Sequence, residues 1–149
     1  VNDKTLKLAK RDSIWNGDSL QIGISVPQKD MVKPNNDGIQ ETSYAEFAVN
    51  AAAAPENSQV YASMNLNLMP LHEPVPNLRS NSFYEGEVIR YRLAVPWKTL
   101  NIVPRDDLKL GISILVNDRD QGDRHWLEWY GGIADGKDPS RYGNAQLAK

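Results

Sequence analysis

Aromatic side chains are the residues of this chain best suited to bind a ligand, because their rings can stack on it. Trp15 comes just before an alternating apolar stretch, and Trp126 and Trp129 belong to the densest aromatic run, residues 126–130. An aromatic ring matches the apolar C–H face of a sugar, while the sugar's hydroxyls stay free for hydrogen bonds. Trp15 is therefore either a stacking platform or a tryptophan packed in the core or at a sheet edge.

The aromatic run reads as a short strand followed by two glycines. On a strand, Trp126, Glu128 and Tyr130 share one face, whereas Leu127 and Trp129 share the other. We therefore expect one tryptophan in the core and the other exposed. The Gly-Gly pair at 131–132 would let a ligand or another backbone approach closely.

A second group with chemical potential is the acidic loop that contains Asp118, Asp120 and Asp123. Alternating acidic residues around a glycine turn can bring carboxylate oxygens to one point, as in a calcium-binding loop. The alternatives are structural calcium and an ordinary charged hairpin. Arg124 is expected to pair with these carboxylates; its other candidate partner is an acidic sugar.

Catalytic signatures are weak, so we predict that the chain is not an enzyme. It has no cysteine, and its two histidines, His72 and His125, are far apart in sequence. No nucleophile elbow, phosphate-binding loop or histidine-based metal motif is present. A carboxylate pair for glycoside hydrolysis stays open, because such a pair is created by the tertiary fold.

The elements that must position these residues read as short strands. Seven stretches have strand-like patterning: residues 20–26, 44–50, 60–66, 77–83, 88–95, 108–116 and 126–130. Leu6 and Leu8 add a weak edge-strand signal, and residues 96–100 read as a single helical turn opened by proline. Frequent turn signals and the lack of a long amphipathic helix predict an all-β fold, an antiparallel β-sandwich formed by one domain, 1–149.

Charge and hydrophobicity limit the classes of partner that this chain is expected to bind. The formal net charge is −2 and the 17 basic residues are scattered, so we expect no nucleic-acid partner. No run approaches the ~18 apolar residues of a membrane span, so no membrane partner is expected either. The lack of cysteine fits a cytosolic protein or a bacterial secreted domain that does without disulfides.

Five short motifs, in order, resemble the family 9 carbohydrate-binding modules and their relatives. They are Trp-x-x-Asp-Ser-x-x-Ile at 15–22, Phe-x-Val-Asn at 47–50, Pro-Trp-Lys-Thr-Leu at 96–100, Val-Asn-Asp at 116–118, and Asp-Pro-Ser-x-Tyr-Gly-Asn at 138–144. The resemblance implies a jelly-roll-like sandwich that is secreted by a bacterium. Such a module binds polysaccharide without catalysis and holds an attached glycan-degrading enzyme near its substrate.

The resemblance also implies a binding site, which this sequence keeps only in part. Trp15 falls on one of two sugar-clamping tryptophans, Asn50 falls on a polar position, and Gln21 replaces a glutamate. Ala48 stands where the family has an arginine, and Gly136 stands where it has the second clamping tryptophan. We therefore expect Trp126 or Trp129 to supply the missing ring, with Trp15, Gln21 and Asn50 completing the site.

The resemblance further implies that the sandwich is incomplete at its N-terminal side, because family members carry several strands upstream. Residues before Val1, or another chain, are predicted to complete the sheet. The alternative function is a structural β-sandwich that packs on a neighbouring catalytic domain and binds no ligand. The departures at Ala48 and Gly136 favour that alternative. No cofactor is required, apart from the calcium considered at Asp118, Asp120 and Asp123.

Overall fold

The structure is a computed structural model that describes residues 5–27, 42–50, 60–65, 75, 77–85, 87–120 and 122–148. The strands are β1 (Ser19–Pro27), β2 (Thr42–Asn50), β3 (Val60–Asn65), β4 (Arg79–Glu85), β5 (Val88–Ala94), β6 (Lys109–Asp118), β7 (His125–Trp129) and β8 (Gly143–Gln146). Short 3₁₀ segments span Arg11–Asn16, Trp97–Leu100 and Pro139–Arg141. The chain has an all-β fold, as predicted. None of the helical segments in these ranges has the length and apolarity needed to cross a membrane.

Six strands form one antiparallel sheet in the order β3-β2-β1-β6-β7, with β8 also paired to β6. Strand β6 is long enough to pair with two short strands along the same side. Its first half, from Lys109 to Ile112, pairs with β8, and its second half, from Ile114 to Asp118, pairs with β7. Residues 130–142 leave the sheet between these two strands, and they return to it at Gly143.

A second antiparallel sheet consists of β4 and β5. Alternation along the strands directs apolar side chains to one face of the six-stranded sheet, where they form the main core. Core residues from that face include Val26, Phe47, Val49 and Leu110. Tyr91 and Leu93 of β5 pack on the same cluster, so the two sheets contact each other there. The sandwich and the jelly-roll strand order stay predictions.

The opposite face of the six-stranded sheet, which we call the outer face, carries mainly polar side chains. One row across it consists of Asn50, Ser19, Asn117 and Trp126, and the next of Ala48, Gln21, Leu115 and Glu128. Two segments cover this face. Ile14 of the first 3₁₀ segment packs on Ala48, whereas Ile133 and Tyr142 from the 130–142 region pack with Leu115.

Most predicted strands are confirmed with small shifts at their ends, and the helical turn predicted at 96–100 is present as Trp97–Leu100. The edge strand predicted around Leu6 and Leu8 is wrong, because residues 5–10 form no strand. Their position is set instead by Asp18, whose side chain accepts from the backbone N–H of Lys7. Strand β8 was missed because residues 143–146 read as part of a polar tail.

The sequence also predicts a polar loop over 27–42, a turn over 51–58 and a proline-rich excursion over 69–76. All of that turn and most of the loop and excursion lie outside the described residues, as does the predicted completion of the sheet upstream of Val1.

Candidate functional site

Four large apolar side chains are exposed on β7 and directly after it, at the edge of the six-stranded sheet. Trp126 is 51% exposed, Leu127 76%, Trp129 58% and Tyr130 58%. We call these four residues the aromatic edge. Both tryptophans are exposed, so the expectation that one of them lies in the core is wrong. The reason is that β7 is the last strand of the order β3-β2-β1-β6-β7, where neither face is fully covered.

Tyr130 is held in place more firmly than its exposure suggests. Its backbone adopts a φ of 71°, a left-handed conformation that is unusual for a bulky residue. Its ring lies so close to Gly143 that a Cβ there would come within 2.1 Å of a ring carbon. The ring also contacts that of Trp129, with centroids 4.6 Å apart and planes inclined at 55°. Trp129 and Tyr130 thus form one exposed aromatic surface.

Trp126 lies on the other side of the strand and has a different neighbour. The guanidinium of Arg124 lies over its ring at 4.8 Å from the centroid, which is a cation–π contact. The predicted pairing of Arg124 with the loop carboxylates is wrong, because Arg124 forms no ion pair within the described ranges. The arginine instead adds a positive charge beside an exposed ring.

Under its covering segments, the outer face contains a buried polar network formed by Gln21, Glu46, Asn117 and Lys137. Glu46 is fully buried, and both of its carboxylate oxygens lie 2.8 Å from Lys137 Nζ. Gln21 Nε2 donates to Glu46 at 2.7 Å, and Asn117 Nδ2 donates to Gln21 Oε1 at 3.1 Å. A buried carboxylate needs such partners, because removal from water disfavours its charge.

Two further polar groups, those of Glu128 and Tyr142, lie on the outer face. Glu128 accepts from the backbone N–H groups of Ile133 and Ala134 and from Ser113 Oγ, which anchors this segment to β6 and β7. Tyr142 lies over Gly23, and burial, followed by the charge of Glu46, raises the pKa of its hydroxyl above the usual value. The phenol is thus kept neutral.

The structure places the residues that were predicted to form one ligand site in separate regions. Trp126 and Trp129 are on the aromatic edge, whereas Gln21 is 4% exposed and bound within the buried polar network. Trp15 is half-buried and packs with Ile14 and Ala48. Asn50 is half-buried opposite Ser19 in the β1–β2 ladder. Tyr130 was missed as a candidate, although its place beside Trp129 and two glycines was a signal in the sequence.

The acidic loop does not gather its carboxylates. Within the described residues, no three His, Cys, Asp or Glu side chains come together in a way that could hold a metal ion. Asp120 accepts from Thr5 Oγ1, and Asp123 is exposed. Calcium at Asp118, Asp120 and Asp123 therefore stays a prediction without a shaped site.

Asp18 links the N-terminal segment to the β6–β7 hairpin. Its carboxylate accepts from the backbone N–H groups of Lys7 and Arg119, and it is only 2% exposed. Burial raises the pKa of Asp18, with the two hydrogen bonds opposing the shift and the charges of Asp118 and Asp120 reinforcing it. The first motif of the family resemblance thus contains an aspartate with a structural role.

Comparison of the chain with protein-family models, curated proteins and solved structures found no match. The resemblance to family 9 carbohydrate-binding modules therefore depends on the order of the five motifs alone.

Proposed function

We propose that this chain is a non-catalytic carbohydrate-binding module that binds a polysaccharide along the aromatic edge. In this proposal it works outside a bacterial cell and holds an associated glycan-degrading enzyme near its substrate. The observation that carries the proposal is that Trp126 and Trp129 of β7, and Tyr130 directly after it, are each more than half exposed. Exposed rings offer flat apolar surface to sugar C–H faces, and their polar tips can still bind hydroxyls.

The rigidity of the edge supports the same function. A ligand gains affinity when the rings that it contacts are already fixed, because less conformational entropy is lost on binding. The ring of Tyr130 is fixed by its close packing on Gly143, and the ring of Trp129 is in contact with that of Tyr130. A backbone held in the left-handed region at a bulky residue is also a feature that clusters at functional sites.

This proposal moves the ligand away from the site that the resemblance implies. Gln21 is bound to Glu46 and Asn117, so reading a sugar hydroxyl with that amide would require the buried polar network to open. Trp15 is half-buried, and it packs against Ile14 and Ala48. The aromatic edge needs no such rearrangement.

A second candidate function is an interaction domain that packs against a neighbouring protein. This candidate is favoured by Leu127, which is 76% exposed. A leucine has no ring that could stack on a sugar, whereas a protein partner would bury it. On the same face, Ile22 and Ile114 are only half-buried and lie in a row with Trp129. An additional strand or chain that completes the sheet would cover this row.

Affinity electrophoresis against a panel of soluble polysaccharides tests the first proposal. The wild-type chain should be retarded by at least one polysaccharide, and the double variant Trp129→Ala/Tyr130→Ala should lose that retardation. Val103→Ala is the matched control, because Val103 is 64% exposed but lies outside β7. Retardation that survives in the double variant would reject the aromatic edge, and no retardation on any polysaccharide would favour the interaction domain.

A further inference from the structure

We propose that the Arg124–Trp126 pair is a subsite for a sugar that carries a negative charge, either a carboxylate or a sulfate ester. This inference rests on the proposed function and specifies the class of glycan. Its basis is the combination of an exposed indole ring and a guanidinium 4.8 Å from the ring centroid. The indole would take the apolar face of the sugar, while the guanidinium would take the anionic group.

The guanidinium of Arg124 is available for such a ligand. Its one interaction with the described residues is the contact with Trp126, and no carboxylate among them is within ion-pair distance. Arg119, on the same hairpin, differs because its guanidinium donates to the carbonyl oxygens of Asn16 and Gly122. Arg124 therefore keeps its planar set of donors, which matches carboxylate and sulfate oxygens in a bidentate manner.

Stacking on the indole prepares the arginine for binding. A free arginine side chain loses considerable rotamer entropy when it is fixed by a ligand, and this loss weakens binding. The cation–π contact restricts Arg124 before the ligand arrives. Binding of an anionic sugar therefore costs less at Arg124 than at a solvated arginine of the same surface.

The acidic residues near the pair are mostly engaged elsewhere. Glu128 is two residues from Trp126 on the same face, but it accepts from Ser113, Ile133 and Ala134. Asp120 accepts from Thr5. Two acidic residues of the hairpin remain. Asp118 is half-buried opposite His125 in the β6–β7 ladder, and Asp123 is exposed, so water and salt screen the charge of Asp123. We expect Asp123→Asn to strengthen binding of an anionic glycan by about twofold, because it removes a screened like charge.

The chain also contains a matched control. Arg92 lies over the ring of Phe83 at 5.3 Å from the centroid, so Arg92→Gln removes the same charge from the same kind of contact on the other sheet. Phe83 is half-buried and lies on β4, away from the aromatic edge. A general effect of net charge on binding would appear in both arginine variants, whereas a subsite at Trp126 responds only to Arg124→Gln.

The test measures affinity for two charged polysaccharides and their uncharged counterparts. The pairs are polygalacturonate with its methyl ester, and dextran sulfate with dextran, and thermal melting verifies that each variant is folded. The wild-type chain should bind one charged member about tenfold more tightly than its counterpart, as one charge-assisted contact allows. The pair that shows the difference identifies carboxylate or sulfate. Arg124→Gln should abolish the preference, and Arg92→Gln should keep it.

Three results would overturn the inference. Equal affinity for charged and uncharged chains would reject the subsite but leave the carbohydrate-binding function intact. A preference that survives in Arg124→Gln, or disappears equally in Arg92→Gln, would show that the charge is read elsewhere or only through the net charge. Binding to none of the four polysaccharides would reject the subsite, and the wider panel used for the aromatic edge would then decide the function itself.

Discussion

The buried polar network and the aromatic edge invert the usual placement of side chains. Glu46, Gln21 and Asn117 are charged or amide residues, yet each is at most 4% exposed. Trp126, Trp129 and Tyr130 are large aromatics, yet each is more than half exposed. The side chains of Glu46 and Gln21 are hydrogen-bonded within the network, whereas the rings are left to solvent.

The two regions of this sheet therefore have different roles: the buried polar network stabilises the fold, and the aromatic edge is exposed for binding. A residue capable of hydrogen bonding a ligand is not a candidate when its donors and acceptors are already used inside the protein. Large apolar surface that folding has left exposed has no such internal use, and contiguous exposed patches of this kind mark interaction sites. The two regions should therefore respond in opposite ways to substitution: the network through stability, and the edge through binding.

The largest effect on stability is expected for Lys137→Met. Glu46 is fully buried, and Lys137 Nζ lies 2.8 Å from its carboxylate. The substitution removes this cation from beside a buried carboxylate, so we expect a decrease of about 3 kcal/mol in the free energy of unfolding. Chemical denaturation measures this decrease. Lys98→Met, at an exposed site, should change stability by less than about 0.5 kcal/mol. Equal stability of the two variants would mean that Glu46 does not need Lys137.

A smaller loss is expected for Gly23→Ala. A Cβ at this position would lie 2.4 Å from the ring of Tyr142, so the tyrosine and its segment must shift. Overpacking of this kind costs about 2 kcal/mol. In a Tyr142→Ala background the same substitution should cost much less, because the ring is gone. A cost that is the same in both backgrounds would place the clash elsewhere.

Asp18→Asn tests the polar link outside the network. Asparagine has one oxygen acceptor, whereas Asp18 accepts from both Lys7 and Arg119, so one backbone N–H loses its partner. Loss of this bond outweighs relief of the buried charge, and we expect a net loss of about 1 kcal/mol at neutral pH. Urea denaturation at pH 7 measures it.

The pH dependence of the same variant has a defined sign. Burial raises the folded-state pKa of Asp18 above its model value of 3.8, so the native chain binds more protons than the unfolded chain just above that value. The contribution of Asp18 to stability is fully present below the unfolded pKa and is lost as the pH rises through the folded pKa. Asp18→Asn should remove this part of the slope. An unchanged slope would show that Asp18 titrates normally.

Much of the fold could be predicted from the sequence because alternation is a local signal. Leu20, Ile22 and Ile24 alternate with Gln21 and Gly23, and that pattern defines β1 and its two faces without any knowledge of its neighbours. Strand β8 carries no such signal. It is a strand because Gly143 admits the ring of Tyr130 and because the edge of β6 is free to pair there.

The candidate site could be predicted only in part. The aromatic run at 126–130 was visible in the sequence, but the exposure of both tryptophans depends on β7 being the last strand of the described sheet. Burial of Gln21 could not be predicted, because it depends on Glu46 and on Lys137. Lys137 lies 91 residues after Glu46 in the chain. Alternation identifies the face on which a side chain lies, but not what covers that face.

The smallest effect on stability is expected for Leu127→Thr, and this variant separates the two candidate functions of the aromatic edge. Leu127 is 76% exposed, and threonine suits a strand, so the free energy of unfolding should change by less than about 0.5 kcal/mol. A sugar bound to the rings makes little use of a leucine, so glycan affinity should remain. A protein that packs on this edge would bury Leu127, and its binding should weaken by about tenfold or more, since burying a leucine contributes about 1.5–3 kcal/mol. Lost glycan affinity in Leu127→Thr would therefore argue against stacking on the rings as the source of binding.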